Sequence, residues 1–260
     1  IEASPERLRT VPGIGAEKAR AFFEHRSGAR DSAMKEFERA ASFGATIVGL
    51  TDPGYPPLLR EIQDPPPVLF VRGVLDPVGA DRYPLAVVGS RSCTQYGREQ
   101  TARFCGMIAG SGLTIISGGA RGIDTAAHTA ALQGGGRTIV VLGCGLAKPY
   151  PPENEKLFDR IVSEGRGAMI SELPIDTPPT PENFPVRNRI ISGMSLGVLL
   201  VEAAKGSGSL ITARLAADDH GREVFAIPGR VDSAASEGVN ELIKTGSAQL
   251  VTAPADIIAA

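Results

Sequence analysis

The sequence predicts an α/β fold: a doubly wound, mostly parallel sheet with a small helical N-terminal module in front of it. Two observations point there. From about residue 85 onward, short apolar runs alternate with segments of helix length. Most of these runs end at once in glycine, serine or proline, the punctuation of strand-to-helix turns. Short apolar runs in that rhythm suit parallel strands covered on both faces.

Taken in order, the residues up to about Phe43 read as helical. Glu6, Arg7, Leu8 and Arg9 lead into Val11-Pro12-Gly13-Ile14-Gly15, and residues 16–25 can form a second helix. Pro53, Pro56, Pro57 and the run Pro65-Pro66-Pro67 mark a connector, with room for short strands at 46–50 and 68–71. The strand candidates that follow are 85–88, 113–116, 138–142, 168–171, 198–201 and 223–226, with 249–251 as an edge strand. The expected domains are a helical module with its connector, residues 1–62, and a sheet domain, residues 63–260. In such a sheet the ligand lies at the carboxyl ends of the strands.

Composition narrows the function. At 260 residues, 42% hydrophobic and 22% charged, the chain has the make-up of an ordinary globular protein. Its formal net charge is −2, so the global balance does not favour a polyanion, and a DNA site has to be a local basic cleft. Aromatics make up 5% and tryptophan is absent, so an aromatic beside basic residues stands out. Cys93, Cys105 and Cys144 lack CxxC spacing, which argues against a disulfide framework or a zinc site and fits a reducing cytoplasm. Ser192, Gly193, Ser195 and Gly197 interrupt the apolar stretch 190–201, so no membrane span is expected. The first residue is Ile1, so the lack of a targeting segment carries little weight.

The strand ends carry the chemistry. They read Gly89-Ser90-Arg91-Ser92, Ser117-Gly118-Gly119-Ala120-Arg121-Gly122-Ile123-Asp124, Gly143-Cys144-Gly145-Leu146 and Lys205-Gly206-Ser207-Gly208-Ser209. Free backbone N–H groups in small-residue loops at helix starts favour an anion, and arginine forks beside them grip phosphate. Any one such loop is more simply a turn; four together, two with arginine, point to phosphate. GxGxxG and the Walker pattern are both missing, which disfavours NAD and ATP hydrolysis. Asn183-Phe184-Pro185-Val186-Arg187-Asn188-Arg189 sets one aromatic among two arginines and two asparagines. Arg187 and Arg189 can meet phosphates and Phe184 can stack on a base. Equally, Phe184 can be a core anchor, with the arginines paired to Glu172 or Glu202. Asp124 and His128 share a helix face at i and i+4, a spacing that fits a structural pair better than an acid–base couple, since no nucleophile stands beside them. Val11-Pro12-Gly13-Ile14-Gly15 resembles the hairpin of a helix-hairpin-helix or SAM-like module, which offers N–H groups to DNA phosphates; a plain helix-to-helix turn is the simpler alternative.

Together these strings resemble the DNA-processing protein A (DprA/Smf) family, from about Pro67 to the end of the chain. Further strings that carry the resemblance are Tyr150-Pro151, Ser171-Glu172, Ser207-Gly208-Ser209-Leu210-Ile211-Thr212-Ala213-Arg214, Phe225-Ala226-Ile227-Pro228-Gly229 and Gly238-Val239-Asn240-Glu241. The resemblance implies an extended Rossmann-like domain that binds single-stranded DNA without strong base preference. It implies a cytoplasmic homodimer, not an enzyme, that protects incoming strands and helps load the recombinase RecA in natural transformation, with no cofactor. Many members also carry a C-terminal winged-helix module, which would lie beyond Ala260. The expected DNA-contacting set is Gly89, Ser90, Arg91, Gly118, Gly119, Arg121, Phe184, Arg187, Asn188, Arg189, Gly206, Ser207 and Ser209. Two rivals remain at this stage. One is a nucleotide-processing enzyme of the lysine-decarboxylase-like phosphoribohydrolase type, whose PGGxGTxxE string is absent here. The other is a recruitment scaffold that keeps its phosphate loops only as structure.

Overall fold

Strand and helix alternate along most of the chain, as the apolar rhythm predicts. The computed structural model describes residues 4–260, the side chains of His25 and Ser27 excepted. Two compact units divide at Gly44. The first holds helices α1 (Pro5–Arg9), α2 (Ala16–His25) and α3 (Ala29–Ser42). Ser4 caps α1 by accepting the Arg7 N–H at 3.3 Å, and Pro5 opens the helix where no N–H is needed. The turn to α2 closes on the Ile14 N–H to Val11 carbonyl bond, with Gly13 at φ +85°.

The second unit runs β1 (Thr46–Gly49), α4 (Pro57–Arg60), β2 (Val68–Gly73), β3 (Pro84–Val88), α5 (Gln95–Gly110), β4 (Thr114–Ser117) and α6 (Ile123–Gln133). It continues β5 (Arg137–Val141), α7 (Glu155–Ser163), β6 (Gly167–Ser171), α8 (Asn183–Gly193), β7 (Gly197–Leu200) and α9 (Gly208–Arg214). The last elements are β8 (Glu223–Ala226), α10 (Glu237–Lys244), β9 (Gln249–Leu250) and α11 (Pro254–Ile258). All nine expected strands form, with ends shifted by a residue or two, and they join one sheet in the order β1-β2-β6-β5-β4-β3-β7-β8-β9. β1 and β2 pair antiparallel, β2 runs antiparallel to β6, and the remaining neighbours are parallel.

The expected boundary at residue 62 is displaced. β1 pairs with β2, and Tyr55, Leu59 and Ile62 are buried in the core of the sheet unit, so residues 45–62 belong to the sheet and not to the helical module. Proline-rich sequence looked like a linker because proline is a poor strand former. Here its rings punctuate an edge hairpin instead.

Alternate residues of each strand feed two core layers. Ala86, Val88, Ile116, Ile139, Val198 and Leu200 pack on one side under α4, α8, α9 and α10 residues such as Leu59, Ile190, Ala213 and Val239. Leu85, Val87, Ile115, Leu199 and Val201 pack on the other under α5, α6 and α11 residues such as Phe104, Ile108, Ala127 and Ile257. Both faces of the inner strands are covered, which is why those strands read as apolar runs. From β3 the chain winds outward through β4, β5 and β6, then returns to lay β7 on the other side of β3. The loops after β3 and β7 therefore part at a topological switch point, where an open α/β sheet leaves a crevice.

Candidate nucleic-acid interface

The loop after β3 carries Gly89, Ser90, Arg91 and Ser92 and is held from two sides. The Ser90 N–H donates to the Glu202 carbonyl, beyond β7, at 2.6 Å, and the Ser90 carbonyl accepts the Ile123 N–H, beyond β4, at 3.1 Å. Gly122, at φ +77°, lies so close that a Cβ there would sit 2.3 Å from the Ser90 carbonyl oxygen. The buried Glu202 carboxylate accepts the Thr94 N–H at 2.8 Å and the Thr94 hydroxyl at 2.5 Å, and Thr94 in turn caps α5. Three strand-end loops thus lock together, and Arg91 projects from them exposed. Its guanidinium lies 5.5 Å from the centre of the Phe184 ring, and no carboxylate pairs with it among the described residues.

Helix α8 forms the opposite wall. Phe184, Arg187, Asn188 and Ile191 all line the crevice, at the i, i+3, i+4, i+7 spacing of one helix face. Phe184 is half-buried, its ring 5.6 Å from that of Tyr150. The third wall is the loop into α9, where the Ser207 hydroxyl accepts the Ser209 N–H and lies 2.9 Å from the Ser209 hydroxyl. Together these walls enclose a cleft of about 600 Å³.

The helical period also decides which arginine is available. Arg189 lies off the cleft face, and its guanidinium grips both Glu172 oxygens, at 2.7 and 2.6 Å, and reaches Asp64 at 3.3 Å. The expected Arg189 phosphate contact is therefore corrected: the side chain ties α8 to the loop after β6. Arg187 lines the cleft wall but is only 5% exposed, and its guanidinium donates to the carbonyls of Gly118 and Val141. Burial pushes its pKa down to about 10, which leaves it charged at neutral pH. Asp124 is buried beside it and accepts the Ala120 N–H at 3.2 Å; burial raises its pKa, countered first by the Arg187 charge. His128 does not join Asp124. The Thr138 hydroxyl donates to the Ile115 carbonyl, so it accepts the His128 Nδ1–H at 2.6 Å, leaving Nε2 buried without a partner. Burial lowers the His128 pKa to about 3.

Of the expected contact set, Gly89, Ser90, Arg91, Phe184, Arg187, Asn188, Ser207 and Ser209 converge on the cleft. Gly118 and Arg121 flank it with Arg91 and Phe184 around a small side pocket. Arg121 is half-exposed and paired with Glu153, and its guanidinium also reaches the Tyr150 hydroxyl at 3.3 Å. Gly119 is buried, and a Cβ there would run into Val140 and Phe158, on the side of the core. Gly206 is exposed and stands outside the cleft. Tyr150 and Asp124 are lining residues absent from the expected set. The signal for Tyr150 was its place just past the small-residue loop that ends β5.

Fold and cleft define a Rossmann-like α/β protein with an anion-suited crevice at the switch point of its sheet. The chain belongs to the DNA recombination-mediator protein A family, whose model matches residues 46–260. Protein Smf of Escherichia coli is 51% identical over 204 residues, 78% of this chain and 53% of that protein. DNA processing protein DprA of Streptococcus pneumoniae is 43% identical over 226 residues, 86% of this chain and 76% of that protein. The chain spans about half the length of the Escherichia coli and Synechocystis relatives it matches. Its fold is similar to the X-ray structure of Streptococcus pneumoniae DprA, with a TM-score of 0.85 at 38% identity over 98% of this chain and 85% of that one. It is also similar to Helicobacter pylori DNA processing protein A, for which a single-stranded DNA binding mode is described, with a TM-score of 0.73 at 29% identity over 83% and 94% of the two chains.

Proposed function

We propose that this chain binds single-stranded DNA in the cleft between the β3 loop, α8 and the loop into α9. The observation that carries the reading is the pairing of Arg91, a guanidinium without a carboxylate partner among the described residues, with the half-buried Phe184 ring 5.5 Å away. A cation beside a ring and serine-rich loops fits a phosphate next to a base and supplies no base-edge code. The Helicobacter relative, with its single-stranded DNA binding mode, supports the same ligand. On this reading the protein is not an enzyme. Asp124 and His128 are each engaged by separate buried partners, and among the described residues no cluster of three His, Cys, Asp or Glu could hold a metal. It works as a homodimer in the cytoplasm, shields incoming strands and helps load RecA during transformation. The names of the relatives support DNA processing as the setting of that role and go no further. Among the described residues no helix is long and apolar enough to cross a membrane.

Competition binding with single- and double-stranded oligonucleotides tests the ligand, and equal or tighter binding of duplex would overturn it. Arg91→Ala should weaken binding to every sequence alike and shrink the salt slope of log affinity by about 0.7. Phe184→Ala should cost about 1–3 kcal/mol of binding with the slope nearly unchanged. An unaltered slope for the arginine variant removes the phosphate role, and a fold lost with the phenylalanine makes the ring a core anchor.

A further inference from the structure

Arg91 borders a second concavity. A groove of about 520 Å³ runs along α5 and α6 and meets the cleft at Arg91 and Ser92. Its charge is one-sided. Arg91, Arg98 and Arg121 line it against a single carboxylate, Glu153, and Arg121 holds that carboxylate. Arg98 is exposed, and its guanidinium donates to neutral oxygens, the Cys93 carbonyl at 2.9 Å and the Gln95 amide at 3.1 Å. The remaining walls are small or polar: Ala102 one turn beyond Arg98 on α5, and Ala126, Thr129 and Gln133 along α6. No lining residue is aromatic, so the groove offers charge and space without a surface for a base to stack on.

We propose that this groove is a second phosphate track: a strand seated in the cleft continues past Arg91 with its phosphates toward Arg98 and its bases outward. The inference rests on the reading of the cleft as a single-stranded DNA site and extends it to the path by which the strand leaves. A backbone-only track adds affinity for longer strands without adding base preference.

The test is fluorescence anisotropy of the full chain with labelled oligothymidylates of increasing length, at several salt concentrations. Arg98→Ala removes the cation. Ala102→Glu puts a carboxylate in the groove at an exposed helical position that supports no hydrogen bond of the loop. Both variants should bind the shortest competent oligomers as the parent does and lose affinity only for longer ones. For Arg98→Ala the salt slope on long strands should shrink by about 0.7, or about fivefold in affinity across a tenfold change of salt. Equal losses at every length, or no loss at any length, overturn the track while the cleft stands. A parent that binds no oligomer of any length overturns the cleft reading and the track with it.

Discussion

His128 shows how far a buried group can stand from its behaviour in water. Its pKa is about 3 in the fold against an ordinary 6.5, because burial disfavours the imidazolium. Below pH 6.5 the unfolded chain takes up a proton that the folded one refuses, so stability is full above that value and falls as pH drops toward about 3. The slope from one such group is at most about 1.4 kcal/mol per pH unit. Asp124 works in the opposite sense: its carboxyl is raised by burial, so its contribution is present below its ordinary 3.8 and is lost as pH rises through the folded value. His128→Gln should therefore flatten the acid side of the stability curve in urea unfolding between pH 7 and 4, in the range of the ordinary histidine value. A variant that loses stability toward acid as steeply as the parent would refute this. None of it was legible in the i, i+4 spacing of Asp124 and His128. That spacing places two side chains on one face but says nothing of Thr138, which arrives from the next strand to claim the ring.

At the scale of the element, α8 separates what its sequence blends. The string from Asn183 to Arg189 read as a basic patch, yet the helix distributes its cations by angle. Arg189 turns to Glu172, and Arg187 turns inward to the carboxyl ends of β4 and β5, where it accommodates the carbonyls of Gly118 and Val141. Arg187 thereby braces the helix that presents Phe184 and Asn188. Arg187→Ala would leave two strand-end carbonyls and the Asp124 carboxylate without their cation. A buried acceptor left without its donor costs about 1–3 kcal/mol, so the two carbonyls together cost about 2–6 kcal/mol. We expect chemical denaturation to show a loss of that order, with DNA affinity reduced for all sequences. A variant as stable as the parent but weak in binding would instead make Arg187 a direct contact. The period that sorts these residues was available in the sequence; it becomes decisive only once one residue of the face, Phe184, is placed in the crevice.

For the whole molecule, the division at Gly44 predicts how it tolerates truncation. Removing residues 1–44 leaves the sheet complete. Removing residues 1–62 takes away β1 and the buried Tyr55, Leu59 and Ile62. Truncating a single buried leucine or isoleucine already costs about 2–5 kcal/mol, and loss of β1 also uncovers the hydrogen-bonding edge of β2. Residues 45–260 should melt cooperatively close to the full chain, and residues 63–260 should melt far lower or aggregate. Similar melting temperatures for the two truncations would show that the hairpin edge is dispensable. Binding by residues 45–260 then measures whether the helical unit contributes to DNA affinity.

What the sequence determined by itself is the alternation. Apolar runs marked the inner strands, because burial on both faces leaves a strand little choice but to be apolar, while the more exposed edge strands β1 and β9 gave shorter and weaker signals. The small-residue loops after them marked the edge where the cleft opens, because helices begin there with unpaired N–H groups. Ser90, Arg91, Ser207 and Ser209 were legible as cleft-lining residues for that reason, and Phe184 and Asn188 from the aromatic set among arginines and asparagines in α8. Tertiary structure alone decided which cations remain available. Whether an arginine is spare depends on carboxylates and carbonyls far away in the chain, such as Glu172 for Arg189 and Gly118 for Arg187. Local sequence carries the periodicity of a face, but pairing across the fold assigns each charge its partner, and that pairing leaves Arg91 facing the cleft.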